Sequence, residues 1–133
     1  MTGPSLRDTA VRLSVSLREG DSDDTLLRHV VQASDDFRAL TDDAARVAFL
    51  GEPDTTGDTR FDALLAGLAV HLAREAGMGT TPTWTRDPGR YVEPIWWFGL
   101  PEGSGLQAFT YQRTPSCFRA RGVMFNVDNL ASV

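Results

Sequence analysis

Residues 59–76, TRFDALLAGLAVHLAREA, place Phe61, Leu64, Leu65, Leu68 and Leu72 at i, i+3, i+4, i+7 and i+11. That spacing keeps the large apolar side chains on one stripe of an α-helix, and it is the strongest periodicity in the chain. Gly77 and Gly79 follow it as stop signals. The spacing predicts a long helix over 59–76, around which the rest of the fold is organised.

Upstream lies Glu52–Asp58, where Pro53, Thr55, Thr56 and Gly57 punctuate the chain and no apolar residue is expected to anchor it. It reads as a linker. Before it, Thr41 offers a hydroxyl N-cap, Asp42 and Asp43 suit the positive end of a helix, and Ala44–Leu50 form a short third helix that ends by Gly51–Pro53. Leu26, Leu27, Val30, Val31 and Phe37 share a stripe over 23–39. Leu6, Ala10, Leu13 and Leu17 do the same over 5–18, where Ser5 and Asp8 have the spacing of a capping box.

Downstream the texture changes to Trp84, Pro88, Tyr91, Pro94, Trp96, Trp97 and Phe98, all three tryptophans in one proline-broken stretch. Regular structure is limited there. The expected role is a packed aromatic cap over the end of the bundle, with a ligand pocket as the alternative. Gly99–Gly105 reads as a loop, and 106–112 suits helix and strand equally. Thr114 and Pro115 suit the N-cap and first position of one or two helical turns over 116–121, ended by Gly122, and 123–127 reads as extended. The expected fold is mainly α: one domain over 1–133, a small helical bundle whose helical half (5–50), linker (52–58) and long helix (59–76) precede an irregular, Trp- and Arg-rich part (77–133) with at most short strands.

The chain has 133 residues, 41% hydrophobic and 23% charged, enough for one core and outside the range of disordered chains. All 13 basic residues are arginine, and 18 acids give a net charge of −5. Seven arginines and twelve acids fall in residues 1–60, six of each in 61–133. Direct nucleic-acid binding is disfavoured by that balance. No apolar run approaches a membrane span, no signal-peptide pattern opens the chain, and the single Cys117 forms no internal disulfide, so the expected location is the cytoplasm.

Catalytic groups are sparse. His29 and His71 sit on helices without a second ligand at i+3 or i+4, and read as satisfied structural or surface histidines. Cys117 falls in the first turn of the 116–121 segment, where the dipole would lower a thiol pKa, although burial is the plainer reading. The pairs Asp23/Asp24, Asp35/Asp36 and Asp42/Asp43 point about 100° apart on a helix, which suits capping and solvated faces rather than a facing dyad. The glycines of 99–105 lack the Gly-Lys-Ser/Thr of a phosphate loop. No catalytic residue, metal or cofactor is expected. Arg113, Arg119 and Arg121 lie in an acid-free stretch from Gly103 to Asn126, suited either to ion pairing with the acidic half or to a partner surface. Arg119 and Arg121 are two apart, so one would turn inward and the other outward.

The runs TGDTRFDALLAGLAVHLA (56–73), Trp84 to Pro88, Trp96-Trp97-Phe98 and Thr114 to Val123 with Phe118, Arg119 and Arg121 resemble the C-terminal domain of actinobacterial Xre-type helix-turn-helix proteins. Such proteins are often encoded beside nucleotidyltransferase-like proteins in toxin–antitoxin-like pairs. The resemblance covers about 25–133, and the segment before it is too short for the family's DNA reader, so DNA recognition is not carried over. It implies a non-enzymatic protein-binding module, an antitoxin-like partner of a nucleotidyltransferase-like toxin, with binding carried by Trp84, Arg90, Trp96, Trp97, Phe118, Arg119 and Arg121. These positions serve equally well as a core signature. The alternative function is a small-molecule-sensing or transcription-linked regulatory domain without its own DNA reader, its Trp-lined pocket bearing Arg90, Glu93 and Gln112. A homodimer is compatible with either.

Overall fold

The computed structural model describes residues 4–101 and 103–130. Its helices are α1 (Leu6–Glu19), α2 (Asp23–Arg38), α3 (Asp43–Phe49), α4 (Thr59–Glu75), α5 (Gln107–Gln112) and α6 (Ser116–Arg119). Single 3-10 turns cover Thr83–Arg86, Pro88–Arg90 and Val127–Leu130. Two short strands, β1 (Trp96–Trp97) and β2 (Val123–Met124), pair in parallel with Trp96 opposite Val123. The fold is mainly helical, as the periodicities predict.

Helix α4 is the centre. Residues 61–70 are buried without a break, and since successive side chains step around the axis by 100°, burial at every one of them requires neighbours on all sides. Those neighbours are α1 and α2 from the N-terminal half and the 83–90 turns, α6 and β2 from the C-terminal half. Both halves of the chain therefore share one core.

The helix starts are set locally. Ser5 and Asp8 close the expected capping box on α1, and Gly20 ends it at φ 71°, a left-handed conformation natural to glycine. Ser22 caps α2. The cap of α3 is Asp42, not Thr41: the Asp42 carboxylate accepts the Ala45 amide at 2.8 Å. A carboxylate at this position adds charge to the same geometry and outcompetes the preceding hydroxyl.

Residues 52–58 are a bound strap rather than a free linker. Asp62, buried on an otherwise apolar stretch of α4, accepts the Thr56 amide at 2.7 Å, the Thr56 hydroxyl at 2.8 Å and the Thr55 hydroxyl. Pro53 and Thr56 are the buried residues of the strap, and the polar bonds to the buried Asp62 carboxylate hold it where the sequence offers no large apolar side chain. In the C-terminal half, residues 106–112 resolve as helix for α5. Thr114 does not cap α6: its hydroxyl donates to the Thr110 carbonyl at 2.8 Å and accepts the Phe125 amide at 2.9 Å, while Pro115 holds the cap position. The extended segment expected over 123–127 stops at Met124, and Val127 opens a 3-10 turn.

Gly67 is where α4 meets α6 most closely, because a Cβ there would lie 2.6 Å from Cδ1 of Phe118, a ring with no exposed surface. Helix propensity alone favours Gly67→Ala by about 1 kcal/mol. Overpacking against an immobile ring opposes it, and we expect a net destabilisation of about 2 kcal/mol in urea or thermal denaturation.

Candidate functional site

Four of the seven residues that the resemblance singles out are interior. Phe118 is fully buried between Gly67 and the rings of Phe125 and His71, at centroid distances of 5.7 and 5.9 Å. Trp84 is buried and its indole N–H donates to the Leu50 carbonyl at 2.9 Å. Arg90 lies over the Trp84 ring at 4.7 Å and donates to the carbonyls of Pro53 (2.9 Å) and Asp62 (3.4 Å), with Glu52 3.7 Å away. Arg121 donates twice to the Thr85 carbonyl, at 3.1 and 2.7 Å, and once to Cys117 at 2.8 Å.

Trp96 and Trp97 are partly buried on β1. Trp96 is 4.9 Å from both Phe61 and Phe98, Phe98 stacks on Phe125 at 5.6 Å, and the Arg60 guanidinium sits 5.2 Å from the Trp96 ring. Through Phe125 and Phe118 these rings form one continuous packed series along α4; Trp96 and Phe98 of the expected aromatic cap belong to it, while Tyr91 is exposed. Arg60 itself is held by Asp58 at 2.7 Å, and this hydrogen bond keeps the Asp58 carboxyl below its ordinary range.

Arg119 is the exposed member, its guanidinium 5.1 Å from the Tyr111 ring. The expected division between Arg119 and Arg121 therefore holds, one outward and one inward. The ion pairing with the acidic half does not: Arg121 is satisfied by carbonyls, and Arg113 lies 3.5 Å from Asp128 in its own half. The polar groups offered for a Trp-lined pocket do not converge, since Arg90 is buried under the strap while Glu93 and Gln112 are exposed. A cleft of about 280 Å³ does lie beside Trp84, but its walls are Val47, Leu50, Met78 and threonines of 80–83.

The feature that sequence reasoning missed is α5. Thr110 is its one buried residue, while Phe109 and Tyr111 are each 46% exposed and Leu106, just before the helix, is 52% exposed. The Arg113 guanidinium lies 3.7 Å from the Phe109 ring centroid. Leu106 and Phe109 have i, i+3 spacing, but nothing in that spacing distinguishes a stripe facing the core from one facing solvent.

The catalytic candidates stand apart on α2, α4 and α6. His29 Nε2 and Ser16 Oγ share a 2.8 Å hydrogen bond. His71 is not satisfied as expected, for its buried Nε2 has no hydrogen-bond partner among the described residues and lies 3.6 Å from Glu75, with burial pulling its pKa down. Cys117 is buried, the plainer of the two readings, and burial pushes its thiol up, outweighing the nearby arginines. Among the described residues no three His, Cys, Asp or Glu side chains cluster as metal ligands, and no helix is long and apolar enough to cross a membrane. Comparison with known proteins finds no matching family model, no similar curated protein and no similar solved structure.

Reversing charge at the two arginines separates their roles. Arg121→Glu sets a carboxylate against the carbonyls of Thr85 and Cys117 and should cost ~3 kcal/mol or more in denaturation. Arg119→Glu, at an exposed site, should leave the melting temperature within a degree or two.

Proposed function

We propose that the protein is a non-enzymatic protein-binding module that docks its partner on α5 and the adjoining arginines. The partner is the nucleotidyltransferase-like toxin that the sequence resemblance implies, which the module restrains as an antitoxin. One observation carries the reading: α5 buries a single threonine and turns Phe109 and Tyr111, with Leu106 beside them, toward solvent. Such an arrangement inverts the usual amphipathic helix and leaves apolar area without a partner among the described residues. Arg113 and Arg119 lie over the two exposed rings, giving the aromatic and arginine composition of interface hot spots. The complementary surface is an apolar depression rimmed by acids.

This reading moves the docking face away from Trp84, Arg90, Phe118 and Arg121, whose side chains are engaged in the core, and keeps Arg119. Co-expression with the product of the adjacent gene, followed by titration of the purified pair, tests it. Phe109→Ala with Tyr111→Ala should weaken association by roughly a hundredfold with the melting temperature unchanged. Unaltered affinity in that double variant, or no association with a neighbour that is harmless alone, refutes it.

A further inference from the structure

A second feature lies outside the α5 face. Arg74 near the end of α4, Arg86 of the 83–86 turn and Arg121 after α6 line one cleft of about 250 Å³, together with Thr81, Ser116 and Cys117. Among the described residues no carboxylate belongs to its lining. Glu75, the neighbour of Arg74 in sequence, is taken by Arg38 at 2.7 Å. Among the described residues none of the three arginines forms a salt bridge, and the Arg86 contact is a 3.5 Å bond to the Thr81 hydroxyl.

Arg121 makes this more than a patch of surface charge. Its three hydrogen bonds go to neutral carbonyls, which satisfy donors without cancelling charge. A guanidinium has five N–H groups, so two remain. Burial lowers the pKa of Arg121; Tyr91 and Cys117 oppose that, and the like charges of Arg74 and Arg86 add to it. Holding a buried cation beside two others without an anion is costly, and a bound anion relieves that cost.

We propose that this cleft binds the phosphate group of a small phosphorylated metabolite. Guanidinium groups brought from three separate chain segments suit a tetrahedral dianion, whose peripheral oxygens accept from several directions, better than a planar carboxylate. The cleft is large enough for a phosphate and an attached group of sugar size. Nucleic acid is disfavoured as the source, because a net charge of −5 opposes extended contact with a phosphate backbone.

The test is calorimetric titration of the full chain with ribose 5-phosphate, inorganic phosphate, unphosphorylated ribose and a 20-nucleotide single strand. Saturable one-to-one binding of both phosphates is expected, with none of ribose. Arg74→Gln and Arg86→Gln, at exposed positions, should each weaken it roughly tenfold without changing the melting temperature. Arg28→Gln, on α2 and outside the cleft, should not weaken it. The proposal is overturned by absence of saturable phosphate binding at millimolar concentration, by equal loss in Arg28→Gln, by equal binding of ribose, or by tighter binding of the single strand. None of these readouts involves α5, so the proposal and the docking function fail separately.

Discussion

The burial of α4 on every side is the constraint from which the other features follow. A helix with apolar or small side chains at nearly every position from Phe61 to Ala73 cannot rest on one partner layer. α1 and α2 supply part of the cover, and the remainder comes from a chain segment with three tryptophans and several prolines that cannot form long regular elements. Wide rings make up for the missing regularity. The series from Trp96 through Phe61, Phe98 and Phe125 to Phe118 covers α4 with few side-chain torsions to freeze.

Irregular backbone brings a second cost, since its carbonyls and amides lack ladder partners and must still be satisfied when buried. Side chains take over that task. Arg121 serves Thr85 and Cys117, Arg90 serves Pro53 and Asp62, Trp84 serves Leu50, and the Thr114 hydroxyl serves Phe125. Long donors that reach across the fold join the strap, the 3-10 turns and α6 to one another. The arginine and tryptophan signature of this half is thus largely a device for closing the core. Close backbone approach belongs to the same solution: Gly122, at φ 82°, leaves no room for a Cβ beside the Val92 carbonyl.

What could be read in advance divides along the same line. The N-terminal helices and α4 are encoded locally, by apolar spacing and by caps such as Ser5 with Asp8, and they appear within a residue or two of the expected bounds. The bonds from Arg7 and Arg90 to the strap carbonyls of Glu52 and Pro53, the pairing of Trp96 with Val123 and the bond from Arg121 to the Thr85 carbonyl join residues tens of positions apart, which no local pattern reveals. Charge counting suggested carboxylate partners for the arginines, whereas the irregular backbone offered carbonyls first. The outward face of α5 was hidden for the opposite reason: its pattern is visible, but solvent exposure depends on what the rest of the chain leaves uncovered.

If the C-terminal half is an integral part of the core around α4, the two must open together. Native-state hydrogen exchange followed by NMR reads this directly, through the α4 amides of 64–72, the Trp84 indole N–H and the amides of Phe118 and Phe125. The account predicts that all of them exchange with one free energy equal to that of global unfolding, and share its denaturant dependence. Exchange of the Trp84, Phe118 and Phe125 protons at a markedly lower free energy, with α4 still protected, would show a separable C-terminal layer and contradict it.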